Sequence, residues 1–390
     1  MNKITIFIII ISLSLAGCNS CIRSGGNSAL EQMYNPIPMS IFEDSVHHAR
    51  AWFENYEPPY PVYHESQIAG IAETMLVLQN KDGGWPKNVD WYIKLDDTNL
   101  EITRTEMIMN GEGGGRSTFD NRTTYSHIDY LARVYAQIPG KKYKAAIEKA
   151  IEWVLSVQNK DSRGFAGIDV DAVTYNDDVM TGVLHLLREI ASSDSLYRFL
   201  DSGLRKKALT AYEQGLECIL KSQVRVDGKL TAWGQQHDHK TLQPVWARDY
   251  EPPSITANES VGVISLLMEI ENPLPEVRNA VGAGCEWLDK VKIHGKKLTW
   301  KSVSGQTIMG RKVNYEKVLV DDPLAPDLWC RFYDLQGEQP LLYDRGKRKV
   351  NRFNELSLER RNGYHYFGTW PGELLQHAYP QWRRRVGLDE

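Results

Sequence analysis

Two short segments place clustered oxygen donors directly ahead of helical patterns. The first is Thr118-Phe119-Asp120-Asn121-Arg122-Thr123-Thr124 and the second is Thr174-Tyr175-Asn176-Asp177-Asp178-Val179-Met180. An Asp or Asn in that position is commonly an N-cap, whose side-chain oxygen satisfies a free backbone N–H of the first turn. Two adjacent carboxylates exceed what one cap needs, and they repel each other unless a cation or an arginine is near. Together the segments offer hard oxygen ligands of the kind Ca²⁺ takes. They lack EF-hand spacing, so such a site must be assembled from separate loops, with Asp120, Asp177 and Asp178 as the candidate ligands.

Arginines supply the complementary charge. In Trp246-Ala247-Arg248-Asp249-Tyr250-Glu251-Pro252-Pro253-Ser254 the prolines fix their own φ and disfavour helix just before them. Ser254 and Asn258 are then expected to cap the apolar run that carries Val261, Val263, Ile264, Leu266 and Leu267. Arg248 therefore sits at an element boundary, where it either pairs with Asp249 or Glu251 or acts on a ligand. Residues 331–361 carry Arg331, Arg345, Lys347, Arg348, Lys349, Arg352, Arg360 and Arg361 among Tyr333, Tyr343 and five acids. Guanidinium forks bind carboxylates bidentately, and the neighbouring aromatics offer flat stacking faces; a solvated, salt-bridged face is the plain alternative. Gly83-Gly84-Trp85-Pro86-Lys87 adds a tight aromatic loop. His237 and His239 flank Asp238, which by itself is weak evidence for a metal.

These residues need a scaffold, and a weak internal repeat describes one. Gln79-Asn80-Lys81-Asp82, Gln158-Asn159-Lys160-Asp161 and Gln223 each follow an apolar helical stripe, and Trp287-Leu288 start a fourth copy. The period is too long for one helix pair and fits a pair with an elaborated loop. Ile68, Ile71, Met75 and Leu78 share one helical face, as do Ile147, Ile151, Val154 and Leu155. Further helical patterns cover residues 124–136, 179–190 and 261–270, and residues 297–312 read as a small hairpin. The expectation is a mainly α chain, an (α/α) toroid or incomplete barrel of helix pairs with a small β element. Its loops would line one face.

The chain ends set other bounds. Lys3, an apolar run over residues 4–15 and Leu15-Ala16-Gly17-Cys18 have the build of a secretion signal, too short for a good membrane span. The tetrapeptide resembles a bacterial lipobox, which implies cleavage before Cys18 and lipidation of it. The expected organisation is a lipoprotein signal at residues 1–17, a tether at 18–45 and one catalytic domain at 46–390, in a lipid-anchored, monomeric protein of the bacterial cell envelope. Net charge is only −4, so no global field favours nucleic acid. Cys218, Cys285 and Cys330 lack any CxxC spacing, and the first two lie in helical apolar patterns as core thiols.

Taken in order, the motifs resemble polysaccharide lyase family 10, the pectate lyases. The resemblance rests on Gly83-Gly84-Trp85-Pro86-Lys87-Asn88, Phe119-Asp120-Asn121 through Thr124, Tyr175-Asn176-Asp177-Asp178-Val179-Met180, Gln236-His237-Asp238 and Trp246-Ala247-Arg248. It continues through Leu328-Trp329-Cys330-Arg331-Phe332-Tyr333, Asp344-Arg345 and Glu359-Arg360-Arg361-Asn362-Gly363-Tyr364. It implies a toroid-like helical fold and Ca²⁺-assisted β-elimination on polygalacturonate. By the same resemblance Arg248 is the Brønsted base, and Asp120, Asp177 and Asp178 lie at the calcium. Asn121, Thr124, Arg331, Arg345 and Trp85 bind substrate. Two departures stand out: Ser162-Arg163-Gly164-Phe165-Ala166 replaces a Gly-Gly-Trp-Pro loop in the second repeat, and Arg122 and His127 are unusual in the Asp-Asn helix.

Elimination suits such residues. The C5 proton of a galacturonate is α to a carboxylate, so its removal builds charge there that a metal ion can neutralise. Two other functions use the same residues. An inverting glycoside hydrolase on a toroid would cast Asp120 and Asp178 as acid and base. A non-catalytic glycan-binding lipoprotein would need the aromatics and arginines but neither the paired acids nor Arg248.

Overall fold

The chain is described by a computed structural model, which covers residues 27–30, 32–42, 44, 46, 61–97, 99–103, 113–192, 195–308 and 311–389. The leader, Cys18 and the first part of the expected tether, residues 18–26, lie outside the described residues. Among the described residues no helix is long and apolar enough to cross a membrane.

Helices dominate and pack in two rows. One row holds α1 (Ile68–Leu78), α3 (Lys141–Ser156), α5 (Ser202–Ser222) and α7 (Pro275–Lys290). The other holds α2 (Tyr125–Gln137), α4 (Val179–Ala191) and α6 (Ala257–Met268). Successive helices pack as antiparallel-type neighbours, α2 on α3, α4 on α5 and α6 on α7, and α2, α4 and α6 touch in turn. The result is a mainly α, toroid-like stack of helix pairs. In α4 the buried positions Val179, Met180, Val183, Leu184, Leu187 and Ile190 make the stripe that fixes its facing. Gly215 in α5 lies where a Cβ would collide with Leu184, so its lack of a side chain sets how closely α4 and α5 approach. Asp201 caps α5 through the Gly203 N–H at 2.7 Å, and Pro275 opens α7.

The repeated glutamines have one job. Gln79 donates to the carbonyls of Gly83 (2.8 Å) and Ala146 (2.9 Å). Gln158 donates to Arg163 and Ala211, and Gln223 to Thr231 and Ala280, at 2.8 and 2.9 Å each. Each amide thus closes its own loop and ties it to the next helix of the same row, through one loop carbonyl and one carbonyl inside that helix. The fourth copy has Val291 there and no such clamp.

A second recurring contact corrects the reading of Trp85. Its indole is fully buried and donates to the Met75 carbonyl at 2.8 Å, as Trp233 donates to Ile219 at 2.8 Å. Trp85 is a core residue that locks the repeat, with no face open to a substrate. Phe165 holds the matching place in the second repeat, so the departure seen there keeps the packing and drops the hydrogen bond. Cys218, Cys285 and Cys330 are free and buried, and burial pushes each thiol up to about 12.

The β element is longer than expected. Strands β1 (Lys296–Ile308) and β2 (Arg311–Asp321) form an antiparallel hairpin with an irregularity between Ser302 and Gln306. Elsewhere two-residue ladders pin the loops. Thr174 pairs with Gln236, and Thr256 with Phe332.

Candidate active site

Three loops on one end of the toroid are built alike. In each, a threonine N–H donates to the carbonyl of the buried aromatic: Thr118 to Trp85 at 3.1 Å, Thr174 to Phe165 at 2.9 Å and Thr256 to Trp233 at 2.7 Å. Two and three residues later come Asp120-Asn121, Asn176-Asp177 and Asn258-Glu259, at the starts of α2, α4 and α6. The site is therefore one structural position used three times, with the positive ends of three helix dipoles behind it. The third copy, Thr256-Ala257-Asn258-Glu259, lies outside the sequence expectations, and its one signal is the Thr-x-Asn-acid order it shares with the second.

The acids are not caps. The helix starts have no side-chain cap bond at Thr124, Asp178 or Thr256. Nor do Ser254 and Asn258 cap α6: Thr256 occupies the cap position, and Ser254 Oγ donates to the Pro252 carbonyl instead. Asn121, Arg122, Thr124, Asp177 and Asp178 all take positive φ, between 51 and 58°. Side chains other than Gly and Asn rarely adopt that region, and each such residue costs of the order of 1 kcal/mol or more. The turns hold their acids in the cleft instead of on the helix ends.

Asp120 is buried and lies 3.4 Å from Lys87 Nζ, and it accepts the Ile168 N–H at 3.1 Å. Gly167 allows this approach, because a Cβ there would strike the carboxylate. Burial raises the Asp120 pKa against the pull of Lys87. Asn121 is buried beside it and donates to Asn88 Oδ1 at 2.5 Å. Asp177 is pushed up to about 7 by burial, by Asp120 and by Asp44, against Arg248 and Arg331. Asp177 is thus within electrostatic reach of Asp120, Arg248 and Arg331. Asp178 accepts Arg122 at 2.6 Å. The two acids thus differ in partner, and the unusual Arg122 is the cation that Asp178 carries. Thr124 is fully buried, and its hydroxyl accepts the Trp85 N–H at 3.1 Å. Its reading as a substrate ligand is corrected with that of Trp85, because its oxygen is spent inside the repeat.

Arg248 faces this group. A small crevice is lined by Asp120, Thr174, Asn176, Gln236, Arg248 and Glu251. The guanidinium makes a two-point ion pair with Glu251, 2.9 Å from Nε and 2.6 Å from Nη2, and the Arg248 N–H also reaches Glu251 at 3.1 Å. Tyr364 Oη (2.8 Å) and Gln235 Nε2 (3.1 Å) complete the shell of that carboxylate. Burial alone would lower the Arg248 pKa, and Glu251 more than reverses this, leaving it raised. Burial pushes Glu251 up, but Arg248 and Arg331 bring it down to about 2. The resting guanidinium is thus firmly protonated.

Beyond Asn176 opens a cleft of about 830 Å³, lined by Asp177, Asp178, Glu259, Arg331 and Trp370 among others. Arg331 is buried there, ion-paired to Glu259, 2.8 Å from Asn176 Oδ1 and stacked over Tyr364 at 4.8 Å. Arg345 is half exposed, 3.1 Å from Glu359, and lies 5.2 Å from the Tyr250 ring that Arg248 and Arg360 also approach. The structure therefore gathers Asp120, Asn121, Asp177, Arg248 and Arg331, sets Arg345 at the rim, and puts Trp85 and Thr124 in the core behind.

The donor set suits a hard divalent cation. Asp120 and Asp177 are oxygen ligands with amide oxygens of asparagine nearby, and Lys87 offsets only part of their charge. Among the described residues no three His, Cys, Asp or Glu side chains converge on one point. The protein would thus bring two carboxylates, and the remaining ligands would be substrate carboxylates and water.

A helical toroid with acids and guanidinium groups gathered in loops at the starts of its helices has the charges to bind an acidic ligand. The comparisons narrow the class. The sequence model for pectic acid lyases matches residues 79–375, and the chain belongs to that family. A variant of the family 10 polysaccharide lyase from Cellvibrio cellulosa, in complex with trigalacturonic acid, has a similar structure. Its TM-score is 0.65 at 26% identity, over 88% of this chain and 96% of its own. A second structure of the C. cellulosa family 10 lyase gives a TM-score of 0.65 at 26% identity, over 90% and 98% of the two chains. Among curated proteins no relative matches. The chain is a polysaccharide lyase of the pectate lyase kind.

Proposed function

We propose that this lyase cleaves polygalacturonate by β-elimination, with Arg248 taking the C5 proton and Asp120 and Asp177 holding Ca²⁺. The reading is supported most directly by Arg248 lining one crevice with Asp120, within electrostatic reach of Asp177. Bound Ca²⁺ would neutralise the galacturonate carboxylate and so acidify C5–H. Arg331 and Arg345 would bind the carboxylates of neighbouring units, for which guanidinium forks are suited. Arg248 accepts the proton only as the neutral guanidine, so turnover rises toward alkaline pH. The C5 electron pair forms the C4–C5 double bond, the C4–O bond breaks, and the departing oxygen takes a proton from water.

The hydrolase reading is less well served. Asp178, which that reading needs as acid or base, is ion-paired to Arg122. Elimination creates an ultraviolet-absorbing unsaturated uronide, and hydrolysis does not. Absorbance is expected to rise on polygalacturonate with Ca²⁺ and not in chelator. A rise in both would remove calcium from the mechanism, and a rise in neither would remove this substrate. From its leader the chain is further proposed to be anchored in the bacterial envelope through lipid on Cys18, with residues 46–390 as its catalytic domain. Labelled fatty acid should be incorporated by the protein and not by Cys18→Ser; equal labelling would refute the anchor.

A further inference from the structure

The β1–β2 hairpin presents a face that the fold does not use. Side chains alternate across a strand, so Leu298, Trp300 and Ser302 share one side with their cross-strand partners Leu319, Lys317 and Tyr315. Leu298 and Leu319 pack onto the core at the base. Trp300 and Tyr315 then stand 56% exposed. Between them Lys317 is buried, with its ammonium 5.3 Å from the Trp300 ring centre.

That lysine has no carboxylate among the described residues. The acids of the hairpin and of the turn after it are taken by other cations: Asp321 by Lys296, Asp322 by Lys297 and Glu316 by Arg361. Burial lowers the Lys317 pKa. An ammonium beside a ring face with no anion is half of a recognition site for an acidic, flat-faced ligand.

The face is also joined to the catalytic cleft. Asn362 of α8 (Leu358–Gly363) accepts the Lys317 N–H at 2.9 Å and donates to the Tyr315 carbonyl at 2.8 Å. The chain continues from α8 into Tyr364, which bonds Glu251 and stacks on Arg331. His365 comes next, its pKa lowered by burial and then by Lys317 and Arg331. His365 thus lies between two cations, Arg331 at the cleft and Lys317 beside Trp300.

We propose that Trp300, Tyr315 and Lys317 form an outlying subsite for one uronate unit of a long substrate chain, the ring stacking on Trp300 and its carboxylate meeting Lys317. The inference rests on the reading above that the substrate is a polyuronate. It predicts that Trp300→Ala and Lys317→Met raise KM on polygalacturonate roughly 5- to 20-fold while kcat holds, and leave trigalacturonate kinetics unchanged. Equal losses on both substrates, or no loss on either, would overturn it. Retardation in gels containing polygalacturonate gives a readout independent of cleavage. Weaker retardation of both variants supports the subsite even if wild type proves unable to cleave this polymer; equal retardation of all three proteins overturns it. Sedimentation adds one more outcome: a wild-type dimer that Trp300→Ala dissociates would make the face a contact between copies instead.

Discussion

Glu251→Gln separates a proton-accepting Arg248 from a merely cationic one. The Glu251 carboxylate is 1% exposed and the Arg248 side chain 38% exposed, and they meet at 2.6 Å. Glutamine preserves the shape, keeps an acceptor for Tyr364 and Arg248, and removes the charge that favours the guanidinium. Two unit charges about 4 Å apart at an effective dielectric constant of about 20 interact by about 4 kcal/mol, or about three pH units. Solvent at the guanidinium screens part of this, so a shift of roughly one to three units is expected. The direction follows from the loss: with the carboxylate gone, burial is opposed less and the Arg248 pKa falls. More neutral guanidine is then present at any given pH, and the acid limb of the kcat profile moves down by that amount. Initial rates of unsaturated product across the alkaline range measure the limb. Thermal melts check that the variant is folded, because a broken, partly buried pair costs roughly 1–3 kcal/mol. A limb that stays in place, or moves up, would refute the assignment of that limb to Arg248.

Further outcomes follow from the core. Trp85→Phe should cost about 1–3 kcal/mol, by leaving the Met75 carbonyl unpaired and a small void, with KM and kcat unchanged; a tenfold rise in KM at unchanged Tm would restore Trp85 to the substrate. His237 is neutral in the fold, with Nδ1 bonded to the Leu242 carbonyl and Nε2 accepting the Gly234 N–H, and burial lowers it to about 4. The unfolded chain takes up that proton below about pH 6.5. Stability from this group is therefore constant above that pH and lost at about 1.4 kcal/mol per unit as pH falls toward 4. Urea titrations of wild type and His237→Asn across that window should differ in slope by one proton, and equal slopes would contradict the burial argument.

The helices were legible because each carries a 3.6-residue apolar stripe, and the loops between them because glutamine punctuates three of the four repeats. The purpose of that glutamine was not legible, since its second carbonyl lies on the next helix of the row, more than fifty residues away. The site was legible in composition and misread in detail. Asp120, Asn121 and Asp177 read locally as caps, and only tertiary contacts force their turns to positive φ. Trp85 read as a binding aromatic because sequence cannot tell a stacking face from a buried one. Arg248 showed two possible carboxylate partners, and the structure selects Glu251. Glu259, which anchors Arg331, stayed hidden because its turn lacks the doubled acid that marks the second.

The central claim is that Arg248 removes the C5 proton. Its most direct test is turnover of polygalacturonate with Ca²⁺ by Arg248→Ala, read as formation of the unsaturated product, beside substrate binding by the same variant. The account predicts a loss of roughly 10²–10⁴-fold in kcat with binding retained. Turnover at the wild-type rate would contradict it.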